Sequence, residues 1–586
     1  MKKTKKGKAK PAKAKRRSKP KTQLSERPKK TDSLTAADHY AGGFDFTAPV
    51  TTALDDTGTL DKARKALQDG NPQDALKAAQ ELLTRDPRNI EALNIAGVSA
   101  FQSGDDASAL DLFRTAVAFE PDDAESLTNL ANIHAAQGDA NLAATTYAAA
   151  ILANPQYADA PFNLAILMDA AGRHAEALET FDRALELRPG HAATLAGKGN
   201  ALKALKRLDD AKVAYEAALA RNPSLAEART NLAAVLQELG DFEGAAREAK
   251  RAFEIDPDLL EAEYNHAIAL QELGQYEEAI KRYRHVLHHA PEFAPCALNI
   301  GYGLQKIGNL DEAAEAFEQA IAIDPDFAKA HVNLADLRLQ QGDPDGALKV
   351  CDAFLQEHPG QTDLLAFRSM SLWDDGREDE ARTLTDFERF VRPEHITPPT
   401  GFGDLETFNN ALCEHVLAHP TLTLSPQSHA TRNGKHSGEL LSDPKGPIAG
   451  LEAEIFRLAG DYRDNLGSGG HPFVARAPKD WTLSVWGVVM ESAGHQIPHI
   501  HPAAWLSGVY YPKLPEIVGD DAGGKAGWIE FGRPPEHFHN ARTPETLSVR
   551  PEPGMMVLFP SYFYHHTVPF EADGMRISIA FDLMPA

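Results

Sequence analysis

The stretch from Ala158 to His191 reads ADAPFNLAILMDAAGRHAEALETFDRALELRPGH, and its pattern decides the fold of most of this chain. Gly172 divides it into two segments that each carry apolar or small residues at helical spacing, and Pro189 ends the second segment. The residues expected to pack between the two helices are Leu164, Ala165, Ala177, Phe181 and Ala184. The stretch therefore predicts a hairpin of two helices.

The same 34-residue pattern repeats from about residue 56 to residue 395, and with a shorter first unit it gives about ten units. The full units begin at Ile90, Ala124, Ala158, Ala192, Ala226, Leu260, Ala294, Ala328 and Thr362. This period, with its recurring small residue and helix-ending proline, resembles the tetratricopeptide repeat. The resemblance implies helical hairpins stacked into a right-handed solenoid, with a concave groove for a protein or peptide.

Asparagine recurs at the sixth position of the units, although it is a mediocre helix former. One interpretation is that these amides bond to neighbouring helices and set the stagger of the solenoid. The other is that they pair with the backbone of an extended peptide, as in the similar amide ladder of O-linked N-acetylglucosamine transferases. Both remain open and are compatible. The residues are Asn129, Asn163, Asn231, Asn265, Asn299 and Asn333.

Charge is unevenly distributed along the chain. Residues 1–30 hold 15 Lys/Arg and one acidic residue, a net of +14, whereas the remainder has 45 basic and 83 acidic residues, a net of −38. We expect residues 1–55 to be a disordered basic tail, either simply solvated or a tether to RNA, anionic lipid or an acidic partner. The acidic remainder disfavours nucleic-acid binding through any other part of the chain.

The cysteine content and hydropathy indicate the compartment. The three cysteines, Cys296, Cys351 and Cys413, lie far apart in the sequence, which argues against a disulfide framework and favours a reducing compartment. No run of about 18 apolar residues predicts a membrane span. The basic N-terminus lacks the apolar region of a secretory signal. These features together predict a cytoplasmic protein.

After the repeats, the pattern changes from helical to strand-like. Residues 396–403 read as a Pro/Gly-rich linker, and residues 404–586 as a separate domain. A helix is expected from Leu451 to Leu466. Short strands separated by Gly/Pro clusters favour a β-sandwich or jelly roll. The predicted strands are Trp481–Met490, Trp505–Tyr511, Trp528–Phe531, Met555–Phe559 and Arg576–Leu583.

Three histidines in this region have the spacing of a metal site. His499 and His501 are two residues apart, so their rings leave the same face of an extended strand, and His565 can complete a three-ligand set. Imidazole suits iron, zinc, copper and nickel, and three ligands leave positions open for substrates. Arg576 can clamp a carboxylate near such a metal. This pattern is typical of an iron oxygenase with a dicarboxylate cosubstrate.

Several motifs of the domain resemble the 2-oxoglutarate/iron(II) oxygenases, whose fold is a distorted double-stranded β-helix. The resemblance covers about residues 404–586. It implies a multidomain protein in which an all-α repeat solenoid precedes a mostly-β jelly-roll domain. The motifs are Pro498-His499-Ile500-His501-Pro502, Trp505 to Tyr511, Pro553-Gly554, Leu558 to Ser561, His565, and Arg576 to Phe581.

The resemblance assigns metal-ligand roles to His499 and His565. His501 stands where most of these oxygenases have the carboxylate of the iron-binding triad. Either His501 binds the metal as a third imidazole, or two histidines hold the iron alone. The aspartyl/asparaginyl β-hydroxylases, which also carry repeats of this kind, are relatives that lack the carboxylate.

The resemblance also implies the cosubstrate site. Arg576 matches the arginine that binds the distal carboxylate of 2-oxoglutarate, Ser578 the serine that adds a hydrogen bond, and Tyr511 a strand tyrosine that contacts the same carboxylate. The implied cofactors are Fe(II) and 2-oxoglutarate, with ascorbate as a further candidate and O2 as cosubstrate. We expect His537 and His539, in a Pro-rich loop, to contact substrate or solvent.

Three functions are compatible with these features. The first is a dioxygenase that hydroxylates a protein or peptide held in the repeat groove, on a prolyl or an aspartyl/asparaginyl side chain. The second is a protein-binding scaffold whose oxygenase domain is catalytically inactive, which the missing carboxylate motivates. The third is an oxygenase that acts on a small molecule or a glycan while the repeats recruit partners.

Overall fold

The described chain of this computed structural model forms two compact units, which divide between Asn222 and Pro223. The predicted basic tail at residues 1–55 lies outside the described residues. None of the helices within these residues is long and apolar enough to cross a membrane. The described residues are 57–425, 430–442, 444–467, 469–519 and 524–586.

In the first unit, the described residues form five consecutive helical hairpins. In four of these hairpins a glycine with a left-handed backbone follows the first helix, such as Gly172 with φ of 76°, and turns the chain into the second helix. In the hairpin of α9 and α10, Lys206 takes this conformation, with φ of 58°. The helices are α1 Thr57–Gln68, α2 Pro72–Arg85, α3 Ile90–Gln102, α4 Asp106–Phe119, α5 Ala124–Ala136, α6 Ala140–Ala153, α7 Asp159–Ala170, α8 His174–Leu187, α9 Ala192–Ala204 and α10 Leu208–Arg221.

The small residue at the eighth position of each repeat has a packing role. At Gly97, a Cβ atom would lie 2.6 Å from the ring of Phe113, a buried residue of the second helix in the same hairpin. At Gly199, a Cβ atom would lie 2.7 Å from the ring of Tyr215. A small residue therefore allows the aromatic ring of the second helix to lie against the backbone of the first.

The second unit begins with five more hairpins and continues into the C-terminal domain. The hairpin helices are α11 Ala226–Glu238, α12 Phe242–Ile255, α13 Leu260–Glu272, α14 Tyr276–His289, α15 Ala294–Lys306, α16 Leu310–Ile323, α17 Ala328–Gln340, α18 Pro344–Glu357, α19 Thr362–Asp374 and α20 Glu378–Leu384. The later helices are α21 Phe387–Phe390, α22 Leu405–Ala418, α23 Ile448–Asp464 and α24 Pro472–Ala475.

The C-terminal domain contains two antiparallel sheets. The larger has the strand order β1-β10-β7-β12-β5-β4-β2 and the smaller the order β3-β6-β11-β8-β9. The strands are β1 Arg392–His395, β2 Thr423–Leu424, β3 Thr431–Arg432, β4 Lys435–His436, β5 Trp481–Met490, β6 Ala493–His499, β7 Leu506–Lys513, β8 Ile529–Phe531, β9 Leu547–Val549, β10 Met555–Pro560, β11 His565–Glu571 and β12 Arg576–Pro585. The predicted fold class, helical repeats followed by a β-rich domain of jelly-roll type, is confirmed.

The last repeats and the C-terminal domain share one hydrophobic core. Its buried residues form one contact cluster, whose members lie between Ala335 in α17 and Leu583 in β12. The Tyr562 hydroxyl donates to the backbone oxygen of Leu384 over 2.5 Å, and the rings of Phe390 and Phe563 lie 6.5 Å apart. Strand β1, inside the range predicted for the repeats, pairs with β10 of the larger sheet. The domain boundaries at residues 395 and 404 therefore stay predictions.

Candidate active site

Backbone pairing brings the three predicted metal-binding histidines together. His499, the last residue of β6, pairs directly with His565, the first residue of β11. His501 lies two residues beyond the end of β6, and its backbone N–H donates to Ser561 over 3.0 Å. One ring nitrogen from each histidine lies within 4.8 Å of the other two. Three nitrogen atoms this close can bind one metal ion.

Hydrogen bonds determine which nitrogen of each ring is free. The Nδ1 atom of His499 lies 2.8 Å from the carbonyl oxygen of Ile497, and that of His565 lies 3.0 Å from the carbonyl oxygen of Phe563. A carbonyl oxygen only accepts, so both Nδ1 atoms carry the hydrogen. The Nε2 atom of each ring therefore keeps its lone pair for a metal.

His501 has a charged partner instead of a carbonyl oxygen. Its Nδ1 atom lies 2.8 Å from Oδ2 of Asp582, and its buried Nε2 atom has no hydrogen-bond partner in the protein. The indole ring of Trp486 is nearly parallel to the imidazole, at 22° and 5.7 Å between centroids. The ring is thus held from one edge and one face while Nε2 remains free to bind a metal.

Burial keeps two of the three histidines uncharged before a metal binds. Loss of hydration, followed by the neighbouring His501, lowers the pKa of His499 to about 3. Burial and the other two histidines also hold the pKa of His565 well below its ordinary value of 6.5. Both imidazoles are therefore neutral near pH 7, which is the form that binds metals.

Arg576 is buried without a carboxylate partner among the described residues. Only 1% of its surface is exposed, and its buried Nε atom has no hydrogen-bond partner. Its Nη1 atom donates to the Ser578 hydroxyl over 3.2 Å, and its guanidinium carbon lies 5.2 Å from the ring centre of Tyr511. Burial lowers the pKa of Arg576 and raises that of Tyr511 to about 12. A buried cation with free donors is suited to an anionic ligand.

One cavity connects the histidines with Arg576. Its volume is about 410 Å³, and residues of both sheets line it. Every second residue of β12 contributes, namely Arg576, Ser578, Ala580 and Asp582. The sequence-based analysis missed Asp582, although the two-residue period that starts at Arg576 places it on the same face of the strand. That period was the signal that could have identified it.

The predicted groove asparagines bond mainly to neighbouring helices. The Nδ2 atom of Asn129 donates to Asn94 over 3.3 Å, and that of Asn163 to Asn132 over 3.1 Å. In the second unit, Asn299 donates to the Tyr264 hydroxyl over 3.3 Å. These bonds agree with the interpretation that the amides link adjacent hairpins. The remaining ladder residues are Asn231 and Asn265, both buried, and Asn333, which is partly buried.

The loop between β8 and β9, residues 532–546, contacts the last two repeats. The backbone N–H and the ring of His539 both bond to Asp336 of α17, each over 3.0 Å. His539 is thus bonded to a helix of the repeats, whereas the sequence predicted a contact with substrate or solvent. The N–H groups of Ala541 and Arg542 each donate to Asp374 of α19 over 2.8 Å.

The ring of Phe538, in the same loop, packs edge-on against Phe367, with 5.2 Å between the centroids. Phe367 is the sixth residue of its repeat, the position that asparagine occupies in six other units. The ladder position in this repeat therefore contacts the C-terminal domain of the same chain.

Family models match both parts of the chain. Residues 484–582 match the family described as "Putative 2OG-Fe(II) oxygenase". Two tetratricopeptide repeat models match the helical part, one at 60–124, 128–192 and 298–362 and the other at 170–234 and 236–299. No curated protein matches the chain.

Three solved structures are similar to part of this chain. YrrB, described as a TPR protein with an unusual peptide-binding site, is 28% identical over 32% of this chain and 96% of its own, with a TM-score of 0.30. A tetratricopeptide repeat protein from Parabacteroides merdae is 18% identical over 43% and 99% of the two chains, with a TM-score of 0.34. MamA is 22% identical over 30% and 97%, with a TM-score of 0.25. By the family models, the chain carries tetratricopeptide repeats followed by a C-terminal domain that matches the family described as "Putative 2OG-Fe(II) oxygenase".

Proposed function

We propose that this chain is a 2-oxoglutarate- and Fe(II)-dependent dioxygenase that hydroxylates a protein or peptide bound by its repeats. The observation that carries the proposal is the position of Arg576 in one cavity with three histidines. The histidines offer free Nε2 atoms to a metal, while the arginine offers free N–H groups to a carboxylate. A molecule that bridges the two needs a metal-binding group at one end and a carboxylate at the other.

The energetics of Arg576 support a dicarboxylate ligand. A buried charge that lacks its partner costs roughly 3–5 kcal/mol, and a bound carboxylate offsets this cost through short charge-assisted bonds. The hydroxyl of Tyr511 is buried without a hydrogen-bond partner and lies beside the guanidinium group, so it provides a further donor. Ser578 fixes the orientation of Arg576 from the other side.

The donor set also fits iron. Three neutral imidazoles suit Fe(II), and they leave positions open for the cosubstrate. When bound, Fe(II) and 2-oxoglutarate supply the oxidative chemistry, in which O2 is consumed, succinate and carbon dioxide are released and a C–H bond is hydroxylated. The aromatic rings of Phe531 and Phe559 pack near His565 and limit access of water on that side.

The continuity of the repeats with the catalytic domain supports a protein or peptide substrate. The shared core and the β8–β9 loop hold the last hairpins at a defined position next to the sheets. A polypeptide bound to these hairpins would therefore be presented to the cavity at high effective concentration. The buried Nδ2 atom of Asn265 in α13 has no hydrogen-bond partner among the described residues, which leaves one amide donor of the ladder unsatisfied by the chain itself.

The proposal is tested by anaerobic titration of the full chain with Fe(II) and 2-oxoglutarate, followed by visible absorption and by succinate release when O2 is admitted. We expect a metal-to-ligand charge-transfer band that disappears in His499→Ala and weakens in Arg576→Ala. The exposed Asp573→Asn serves as a matched control and should retain both signals. A folded, metal-loaded protein without band or succinate would instead favour a binding scaffold.

The substrate class needs a separate test, because removal of residues 56–395 would open the shared core. We therefore favour the point variant Asn265→Ala over the deletion. Reduced turnover of a protein substrate, with an unchanged charge-transfer band, supports binding in the groove. Unchanged turnover of the protein substrate would show that Asn265 does not contribute to its binding.

A further inference from the structure

Asp582 differs from every other group that contacts the three histidines, because it carries a charge. Its Oδ2 atom accepts from Nδ1 of His501, and its Oδ1 atom accepts from the Ser507 hydroxyl over 2.6 Å. The Ser507 hydroxyl is in turn 2.9 Å from that of Ser561. Both carboxylate oxygens are therefore bonded, and the side chain is fixed in position against His501.

The other two histidines have neutral partners, since their Nδ1–H groups donate to backbone oxygens. A carboxylate polarises an imidazole more strongly than a carbonyl oxygen does, which makes the opposite nitrogen a better metal ligand. Among the three rings, His501 is thus the one with a carboxylate directly behind its free Nε2 atom. This is also the ring that replaces the carboxylate expected at this position of the motif.

We propose that Asp582 is a positioning residue that makes His501 the third metal ligand. It supplies, from behind the imidazole, the negative charge that a carboxylate ligand would supply by direct contact. This inference rests on the proposed Fe(II) site and adds to it the number of ligands and the source of the compensating charge.

The charges of the site support this assignment. Three neutral imidazoles alone would leave the full +2 charge of a divalent ion between the two sheets, and a partly desolvated charge is stabilised by a nearby opposite charge. Arg576 adds another positive charge to the same cavity. Asp582, the acidic residue that lines the cavity, lies on the His501 side and lowers the net charge of the site by one.

The first experiment measures metal affinity in the full chain, by anaerobic titration with Fe(II) and, for its visible bands, with Co(II). Asp582→Asn keeps the shape of the side chain and removes its charge. We expect metal affinity to fall about 10- to 100-fold, the range typical of lost partners behind metal ligands, with altered Co(II) bands. Asp573→Asn, the same change at an exposed site, should bind both ions as the wild type does.

A double-mutant cycle separates positioning from a general effect on the fold. In the His501→Ala background, Asp582→Asn should cause no further loss of metal affinity, because the ring through which Asp582 acts is absent. Equal losses in the two backgrounds, or wild-type affinity in Asp582→Asn, would overturn the proposal. Should Asp582→Asn fail to fold, Ser507→Ala takes its place in the cycle, with the same two criteria.

Succinate release distinguishes this inference from the proposed function. Metal binding that depends on Asp582, in a protein that forms no succinate, would support the positioning role and reject the dioxygenase. Succinate formation, in a protein whose metal affinity does not change in Asp582→Asn, would support the dioxygenase and reject the positioning role.

Discussion

Arg576 places a positive charge where the described part of the chain provides no negative partner. Its guanidinium group is bonded to a hydroxyl and lies beside an aromatic ring, and both neighbours are neutral. Such a residue weakens the fold in the absence of ligand and strengthens the complex in its presence. The free energy of unfolding of this protein should therefore increase when 2-oxoglutarate binds.

Replacement of this side chain tests that relation. We expect Arg576→Met to leave the ligand-free protein as stable as the wild type or about 1–3 kcal/mol more stable, because a buried unpaired charge is removed. Affinity for 2-oxoglutarate should fall about 100-fold or more, the cost of a lost charge pair. Urea denaturation with and without 2-oxoglutarate measures both effects. A marked loss of ligand-free stability would contradict this account.

The histidines predict how stability depends on pH in metal-free protein. Burial lowers the pKa of His499 to about 3 and holds that of His565 well below 6.5, so the unfolded chain binds protons between about pH 6.5 and pH 3 that the folded chain does not. The free energy of unfolding should therefore decrease as pH falls below 6.5. For His499, whose pKa is lowered to about 3, this amounts to about 2 kcal/mol between pH 7 and pH 5, and His565 adds a loss of the same sign.

Thermal unfolding in the presence of a chelator measures this dependence. His565→Gln, which removes the more deeply buried group, should show a smaller decrease in stability between pH 7 and pH 5 than the wild type. An identical decrease in the two proteins would show that other groups are responsible.

At the level of secondary structure, two periodicities organise the molecule. In the repeats, a small residue every 34 positions lets an aromatic ring of the second helix approach the first, as at Gly301, where a Cβ atom would lie 2.5 Å from Phe317. In β12, a period of two directs Arg576 and Asp582 to the same cavity. The first periodicity shapes the hairpins, and the second brings the groups proposed to bind the cosubstrate and to position the metal ligand onto one strand.

The close approach at Gly301 yields a stability prediction. Gly301→Val should cost about 2 kcal/mol or more, because a branched side chain cannot fit against the ring of Phe317 without displacing it. The matched variant Gly460→Val lies in α23 where an added Cβ meets nothing within 4 Å, so its effect should stay within about 0.5 kcal/mol. Chemical denaturation of both variants gives the comparison, and equal losses would refute the packing argument.

At the scale of the whole chain, the unit from Pro223 to Ala586 joins the last repeats to the C-terminal domain. The last hairpins share a core with this domain, and Asp336 and Asp374 hold the β8–β9 loop through its backbone. This loop directly follows β8, whose last residue, Phe531, pairs with His565. One loop and one strand therefore connect the repeats with the proposed metal site.

Loss of the loop contacts should affect substrate use rather than the metal site. In the double variant Asp336→Ala/Asp374→Ala we expect kcat/KM for a protein substrate to fall about tenfold, as misplacement of a bound substrate commonly does. The charge-transfer band with Fe(II) and 2-oxoglutarate should remain. Asp311→Ala, an exposed acid of α16, controls for the change in charge. An unchanged kcat/KM would show that these loop contacts do not position the substrate.

Periodicity explains which parts of this molecule were predictable. A helical hairpin satisfies its backbone locally and packs against its sequence neighbours, so its period appears in the sequence. Strand β5 was predicted with its observed bounds, Trp481–Met490, because its apolar run is long and clearly delimited. Strands β6 and β11 were not delimited, since their metal-site histidines and prolines obscure the alternation.

The sequence by itself determined the repeats, the fold class and the set of histidines around His-Ile-His at 499–501, because spacing and residue type carry that information. Only the tertiary structure decided that Asp582 lies behind His501, that Arg576 has no acidic partner in the described chain, and that the β8–β9 loop bonds to the last repeats. Each of these joins residues from different elements. Such contacts depend on how sheets and helices pack, which no local period records.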